Sequence, residues 1–257
     1  AFTLARGWPL PVRELADLHA GWGLGGWAGV LLAAVAFVVV PMFQLTPGYP
    51  ARPGWLFPLA IMLTLLVWSA ALLFDLPALV RMAQLALAAS GIAFALLTLQ
   101  LQSRRRRARA DTTFRYWQLG LMASALALLM PWLAVAFPVL AARAAWAPSF
   151  GILLIVGGFL SFITGMLYKI VPFLAWLHLQ QRAQTKVPPM NSFLAETAMH
   201  RQWQAHLAAL VLLLGTPLLP WLAVPAGLAS ALASAWLGWN LLQVVRRYRR
   251  LVATIPR

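Results

Sequence analysis

The residues best suited to chemistry in this chain are its four histidines. His178 and His206 flank the loop between the fifth and sixth apolar segments, so they could share one depth and bind a haem iron or a metal ion. They could equally be interfacial residues that hydrogen-bond to loop carbonyls or water. His19 stands at the outer mouth of the first apolar segment. His200 lies off the helical face of His206 and is expected to be solvated.

Lys169 is the only basic residue well inside an apolar run. An ionisable residue at membrane depth is a candidate functional site. If the fifth segment begins at Ser149, Lys169 lies about 30 Å along the helix, at the inner interface, where its chain extends to water. If the segment is centred later, Lys169 is buried and Pro172 bends the helix beside it. The sequence leaves both positions open.

Several kinds of chemistry are excluded by composition. The chain contains no cysteine, which excludes disulfides, cysteine-ligated zinc, iron–sulfur clusters and thiol catalysis. The run Gly21–Gly26 (GWGLGG) follows no predicted strand, so it does not form a dinucleotide-binding loop. No complete catalytic or metal-ligand motif occurs, and the sequence therefore does not predict an enzyme.

The elements that must position these residues are apolar helices. Of the 257 residues, 62% are hydrophobic and 10% charged, whereas soluble domains have about 25% charged residues. Each apolar segment can cross about 30 Å of hydrocarbon as a helix, and continuous apolar runs exclude a β-barrel. The sequence predicts an all-α polytopic bundle with spans at 20–43, 55–74, 78–101, 116–139, 149–179, 203–222 and 225–245. Segment 1–19 is predicted at the outer face and 246–257 as a basic cytoplasmic tail.

The positive charges give this bundle a direction. Fifteen of the twenty lysines and arginines fall in alternate gaps between the segments: Arg52, Arg104–Arg107, Arg109, Arg115, Arg182, Lys186, Arg201, Arg246, Arg247, Arg249, Arg250 and Arg257. The positive-inside rule makes this Arg-rich face cytoplasmic, together with the C-terminus. The net charge of +15 then reflects loops that meet anionic lipid headgroups of the bilayer, with no nucleic-acid partner.

Two segments carry ridges of small residues. Gly21, Gly25 and Gly29 repeat at spacing four in the first span, and Gly157 and Gly165 lie on one face of the fifth. Such ridges let helices approach closely in lipid. The same ridges could instead leave room for a flat cofactor such as haem.

The predicted direction places the first residue outside, without a visible export signal. An odd number of preceding spans would explain this placement. The expectation is therefore that the chain is the C-terminal part of a larger membrane protein, or that it works with further spans or subunits.

Two stretches resemble a known type of protein. The stretch His19–Trp27, followed by Val40–Phe43 (VPMF), resembles the histidine-plus-glycine helix of NnrS-type proteins. Those are multi-pass haem–copper membrane proteins distantly like haem–copper oxidase subunit I. The stretch Gly165–Leu174 resembles a signature of uncharacterised bacterial membrane proteins of the same general type. The resemblance implies a bacterial inner-membrane protein of twelve spans with haem b, for which His19 is a ligand.

The departures from this pattern limit what the resemblance implies. The second span holds no histidine and the chain has no adjacent histidine pair, so no oxygen-reducing centre is implied. The first functional hypothesis is a haem- or metal-associated membrane protein, not itself an enzyme, in which Lys169 and His178 line an inner polar site. The second is a small-solute permease that uses Lys169 and Pro172 as a gate. The third is a structural membrane subunit without its own site.

Overall fold

The described part of the chain is helical throughout. The computed structural model describes residues 11–106, 110–182 and 187–253, and none of these forms a strand. This confirms the all-helical class. Six helices in these ranges are long and apolar enough to cross a membrane, so the chain is a multi-pass membrane protein. Outside the described residues lie Arg6, Arg107, Arg109, Lys186 and Arg257.

Seven long helices are described: α1 Val12–Gln44, α2 Ala51–Leu73, α3 Pro77–Ser103, α4 Thr112–Ala136, α5 Trp146–Arg182, α6 Glu196–Gly215 and α7 Ala223–Ala253. The helices α1 and α5 each contain a π-helical stretch, Gly21–Gly29 and Ile152–Leu160. Short helical turns occur at Pro138–Ala141, Met190–Ser192 and Pro220–Leu222. The helix outside the six is α6, whose first half is polar, so the seventh span stays a prediction.

The helices around the site differ from the predicted spans at their ends. Helix α4 begins at Thr112, ahead of the predicted Tyr116, because Asp111 caps it. Helix α7 continues through the arginines to Ala253, so the described part of the predicted tail is helical. Arginine is a good helix former, and the charges do not end the helix.

Helices α1 and α6 also start earlier than predicted. Helix α1 begins at Val12, so His19 lies within a helix and not ahead of one. Helix α6 runs over Glu196–Gly215 in place of the predicted 203–222, and ends just before Pro217. The sequence predicts later starts because the first turns of both helices are polar and so lie outside the apolar runs.

The described chain divides into two compact units, and the first comprises α1 to α3. A Cβ atom added at Gly21 would meet the ring of Trp68, and one added at Gly25 would lie 3.2 Å from Leu87. At Gly29 the added atom would lie 3.0 Å from a backbone oxygen of the same helix, that of Leu24. The glycine ridge of α1 is therefore filled by side chains of its neighbours and by its own π-helical backbone.

The loop after α1 is anchored on α3. The hydroxyl of Tyr49 lies 2.9 Å from Thr98 Oγ1, and the ring of Phe37 packs edge-on at 4.8 Å between ring centres. Burial raises the pKa of Tyr49 to about 12, although the hydrogen bond with Thr98 lowers it. Gln102 Nε2 of α3 also donates to Oε1 of Gln44, the last residue of α1, at 2.9 Å. These bonds fix the connection between α1 and α2.

The second unit comprises α4 to α7. A Cβ atom added at Gly157 would lie 2.6 Å from the Cβ of Ala123, and one at Gly165 would lie 2.9 Å from the Cβ of Tyr116. The small residues of α5 thus let it approach α4 closely. The segment before α6 contributes Phe193, which is buried in the core of this unit.

Replacing Gly157 by alanine should destabilise the second unit. The gain in helix propensity is about 0.5–1 kcal/mol, but overpacking against Ala123 costs about 1–3 kcal/mol. Gly151→Ala is the matched control on α5, because an added Cβ there meets nothing within 4 Å. We expect a lower midpoint of thermal unfolding in detergent for Gly157→Ala only. Equal midpoints for the two variants would contradict the close approach of α5 and α4.

Candidate functional site

The structure separates the predicted histidines. His19 and His178 are exposed, whereas His206 is 4% exposed and its Nε2 lies 2.9 Å from Ser161 Oγ. Ser161 precedes His178 by seventeen residues on α5, which is about 25 Å of helix. His178 and His206 therefore do not lie at one depth and do not form a pair. No group of three or more metal-binding side chains occurs among residues 11–106, 110–182 and 187–253.

Lys169 forms an ion pair at one end of the second unit. Its Nζ lies 2.8 Å from Oδ2 of Asp111, and the two side chains are 15% and 13% exposed. Asp111 directly precedes α4, so Lys169 lies at the level where that helix begins. The structure does not bring it together with His178, which lies nine residues farther along α5. The predicted inner site of Lys169 and His178 is thus replaced by an ion pair between helices.

Asp111 is held as a carboxylate. Its Oδ1 accepts hydrogen bonds from Phe114 N at 2.9 Å and from Thr113 Oγ1 at 2.8 Å. Burial would raise the pKa of Asp111. The hydrogen bond and charge of Lys169, with the two α4 donors, more than offset it, so the pKa falls below its ordinary value of 3.8. The charged form therefore caps α4 and binds Lys169 at the same time.

A second carboxylate reaches the same helix end from α6. Glu196 Oε1 accepts hydrogen bonds from the backbone N of Thr112 at 2.5 Å and from its Oγ1 at 2.7 Å. The first turn of a helix has unpaired N–H groups and a partial positive charge, so both carboxylates are favourable there. The start of α4 is thereby tied to α5 through Lys169 and to α6 through Glu196.

Deeper in the unit, one glutamine joins two tyrosines. Gln202 Oε1 accepts hydrogen bonds from the hydroxyl of Tyr116 and from the hydroxyl of Tyr168, the second at 3.1 Å. Its Nε2 donates to the carbonyl of Ala233 at 3.1 Å. Asn240 Nδ2 donates to the Tyr168 hydroxyl at 2.9 Å. We call Tyr116, Tyr168, Gln202 and Asn240 the polar belt, and it takes one residue from each of the four helices.

Beyond the polar belt lies a small cavity between α5, α6 and α7. Its volume is about 30 Å³, and its polar lining consists of Thr164, Gln202, His206, Ser230 and Ser234. Ser234 is exposed, so the cavity reaches the surface of the unit. No charged side chain of the described residues lines it. The arrangement can therefore bind a small neutral hydrogen-bonding molecule.

The sequence carried signals for part of this site. Asp111, Thr112 and Thr113 immediately before an apolar run are typical of a helix start. Gln202 and His206 are four residues apart, and this spacing places them on one helix face. Nothing in the sequence links Gln202 to Tyr116, because 86 residues separate them.

The residues near the predicted haem ligand do not form a haem pocket. The glycines Gly21 and Gly25 that could flank a flat cofactor lie against Trp68 and Leu87. The buried histidine, His206, lines a cavity of about 30 Å³, whereas pockets for larger ligands measure about 300–1,000 Å³. The space beside Gly21 and Gly25 and the cavity of His206 thus do not fit the haem that the resemblance implies.

Stability should depend on pH through Asp111. Because the folded-state pKa is lowered, the ion pair stabilises the fold above the ordinary value of 3.8 and loses that effect as the pH falls below it. We expect the thermal midpoint to fall between about pH 5 and pH 3. The dependence should be smaller in Asp111→Asn, which keeps a capping side chain but no charge. An unchanged pH profile in this variant would contradict the assignment.

Comparison of the chain with protein-family models, with curated proteins and with solved structures found no match. The resemblance to NnrS-type proteins therefore stays a prediction. The site is defined by the chain's own contacts.

Proposed function

We propose that this chain is a multi-pass membrane protein whose second unit binds and conducts a small polar solute. A single observation carries the proposal. Of the ten buried polar side chains among the described residues, seven lie in the second unit, and they face its interior. Ionisable side chains within transmembrane segments mark substrate and ion paths, and Lys169 and His206 are two such residues of this unit.

The polar residues of this unit follow one another along the helices. On α5 they run from Lys169 through Tyr168 and Thr164 to Ser161, a length of about 12 Å along the axis. On α6, Gln202 accompanies them with His206 one turn deeper. The ion pair, the polar belt and the cavity therefore form a continuous polar column within four helices.

The alternative is that the column only holds the helices together. The polar belt itself supports that interpretation, because Gln202 and Tyr168 are hydrogen-bonded within it. The cavity does not, since Thr164 is 1% exposed and its Oγ1 has no hydrogen-bond partner in the described ranges. A purely structural unit would pack this space with apolar side chains. The cavity therefore favours a solute-handling role over a structural subunit.

The gate of this proposed path differs from the one in the permease hypothesis drawn from the sequence. That hypothesis used Lys169 together with a helix break at Pro172. Helix α5 continues through Pro172, and Lys169 is bound to Asp111. We infer that the ion pair, and not the proline, closes the end of the column, and that solute entry there requires the pair to separate.

The haem-associated role remains a prediction, and no contact of His19 with the described residues favours it. A Soret band in the purified protein that disappears in His19→Ala would support it. The absence of bound haem, together with solute uptake, would favour the permease.

We further propose that the Arg-rich end of the second unit faces the cytoplasm of a bacterial inner membrane and meets anionic lipid headgroups. Four exposed arginines occupy the last turns of α7: Arg246, Arg247, Arg249 and Arg250. The guanidinium of Arg246 lies 5.0 Å from the ring centre of Trp239. Tryptophan is enriched at membrane interfaces, and clustered arginines beyond it are attracted to anionic lipid.

Solute uptake should depend on the polar belt. We expect proteoliposomes containing the protein to take up radiolabelled urea faster than protein-free liposomes, and Gln202→Leu to reduce uptake to background. Gln118→Leu is the matched control, because Gln118 lies on α4 outside the polar belt and the cavity lining. Equal uptake in Gln202→Leu and Gln118→Leu would refute a path through the belt.

Orientation can be measured cleanly because the chain has no cysteine. We expect Ala253→Cys to react with a membrane-impermeant maleimide only in inside-out vesicles, and Val139→Cys only in right-side-out vesicles. Both positions are exposed, at opposite ends of the second unit. The reverse pattern would overturn the proposed direction.

A further inference from the structure

The cavity beside the polar belt has a composition that calls for a ligand. Thr164, Gln202 and His206 all line it, and they are 1%, 2% and 4% exposed. These side chains are more than nine-tenths buried, yet they surround open space. Buried polar groups that face a void without a partner are unfavourable, so such a space normally holds a hydrogen-bonding molecule.

Two atoms of the lining are available for a ligand. Thr164 Oγ1 has no hydrogen bond to any residue of the described ranges. His206 uses Nε2 for Ser161 Oγ at 2.9 Å, and its Nδ1 has no partner in those ranges. A third group, Ser230 Oγ, donates to the carbonyl of Ala226 at 2.8 Å and keeps its capacity to accept. The lining therefore offers both donors and acceptors.

The size of the cavity restricts the ligand. A water molecule needs about 10–15 Å³ of such space, so about 30 Å³ holds about two waters or one molecule of similar size. Drug-sized ligands need roughly ten times more.

The charge of the lining restricts the ligand further. No lysine, arginine or carboxylate in the described part of the chain lines the cavity. A bare ion at this depth would lack a compensating charge. The ligand must therefore be small, uncharged and polar.

We propose that this cavity is a binding site for a small neutral molecule that both donates and accepts hydrogen bonds, with Thr164 and His206 as its recognition residues. The site rests on the proposed solute-conducting function and names the chemical class of that solute. Ser161 acts as a positioning residue, because its hydrogen bond fixes the His206 ring. Ser234, which is exposed, lies at the opening of the site.

Urea is a suitable probe because it is neutral and carries both donors and acceptors. It is larger than two waters, and the opening at Ser234 leaves room for the part that the enclosed space does not hold. Tetramethylurea is the control probe, since it is larger and has no N–H donor. We measure the chemical shift of the His206 ring in protein with isotope-labelled histidine, and assign the signal by its loss in His206→Gln. We expect a saturable shift with millimolar urea and none with tetramethylurea.

The variants then test the recognition residues. Thr164→Val keeps the shape of the side chain and removes its hydroxyl, and it should weaken urea binding about tenfold, the effect of one lost hydrogen bond. Thr216→Val is the matched control directly after α6, outside the cavity lining, and should bind urea as the parent does. If Thr164→Val does not fold, Ser234→Ala replaces it, because Ser234 is exposed and its loss is tolerated more easily. Equal binding by the cavity variant and Thr216→Val would overturn the site.

The site and the function can fail separately. A urea-dependent shift of His206 without uptake by proteoliposomes supports the site and refutes conduction. Uptake that persists unchanged in Thr164→Val and His206→Gln overturns the site and leaves conduction standing. No saturable shift, or the same shift with tetramethylurea, overturns the site directly.

Discussion

Lipid offers no hydrogen-bond partner to the polar groups inside the second unit, so partners within the unit are strongly favoured. The carboxamide of Gln202 meets this constraint for several helices at once. Its oxygen accepts the hydroxyls of Tyr116 and Tyr168, and its nitrogen donates to the carbonyl of Ala233. Removing this one side chain would leave two buried hydroxyls without an acceptor. A single buried amide on α6 therefore links α4, α5 and α7.

The ends of the polar column differ in the kind of interaction that they use. At the Arg-rich end, Asp111 and Lys169 form an ion pair, and each of the two side chains is partly exposed. A partly exposed pair avoids the full desolvation penalty of two buried ions. Farther in, the belt and the cavity contain only neutral groups, which hydrogen bonds alone can satisfy. Charged groups thus lie at the end of the column and neutral groups lie deeper. This order is expected because burying a charge costs more free energy as the surroundings become less polar.

The sequence predicted what depends on local patterns and missed what depends on long-range contact. Apolar runs predicted the helices, because each run must cross the hydrocarbon by itself. Asp111 is a local signal for the start of α4, because it acts on residues immediately after it; the prediction followed the apolar run instead and began the span at Tyr116. The partner of Lys169 was not, since 58 residues separate it from Asp111. The pairing of His178 with His206 failed for a related reason: loop proximity in sequence says nothing about depth, and the buried partner of His206 is Ser161.

The two π-helical stretches show why local structure alone does not make a site. In α5 the stretch ends at Leu160, directly before Ser161, and both Val156 and Leu160 form part of the cavity wall. In α1 the stretch Gly21–Gly29 has the same length and form. There the space beside the glycines is taken by Trp68 and Leu87, and no polar side chain lies buried in the stretch.

The same distortion of a helix thus leaves a cavity in one unit and a packed contact in the other. What distinguishes them is the neighbouring helix: α6 presents His206 and Gln202 to its π-helical stretch, whereas α2 presents an aromatic ring. The polar lining of the cavity in the second unit therefore comes in part from α6, the helix that faces the π-helical stretch of α5.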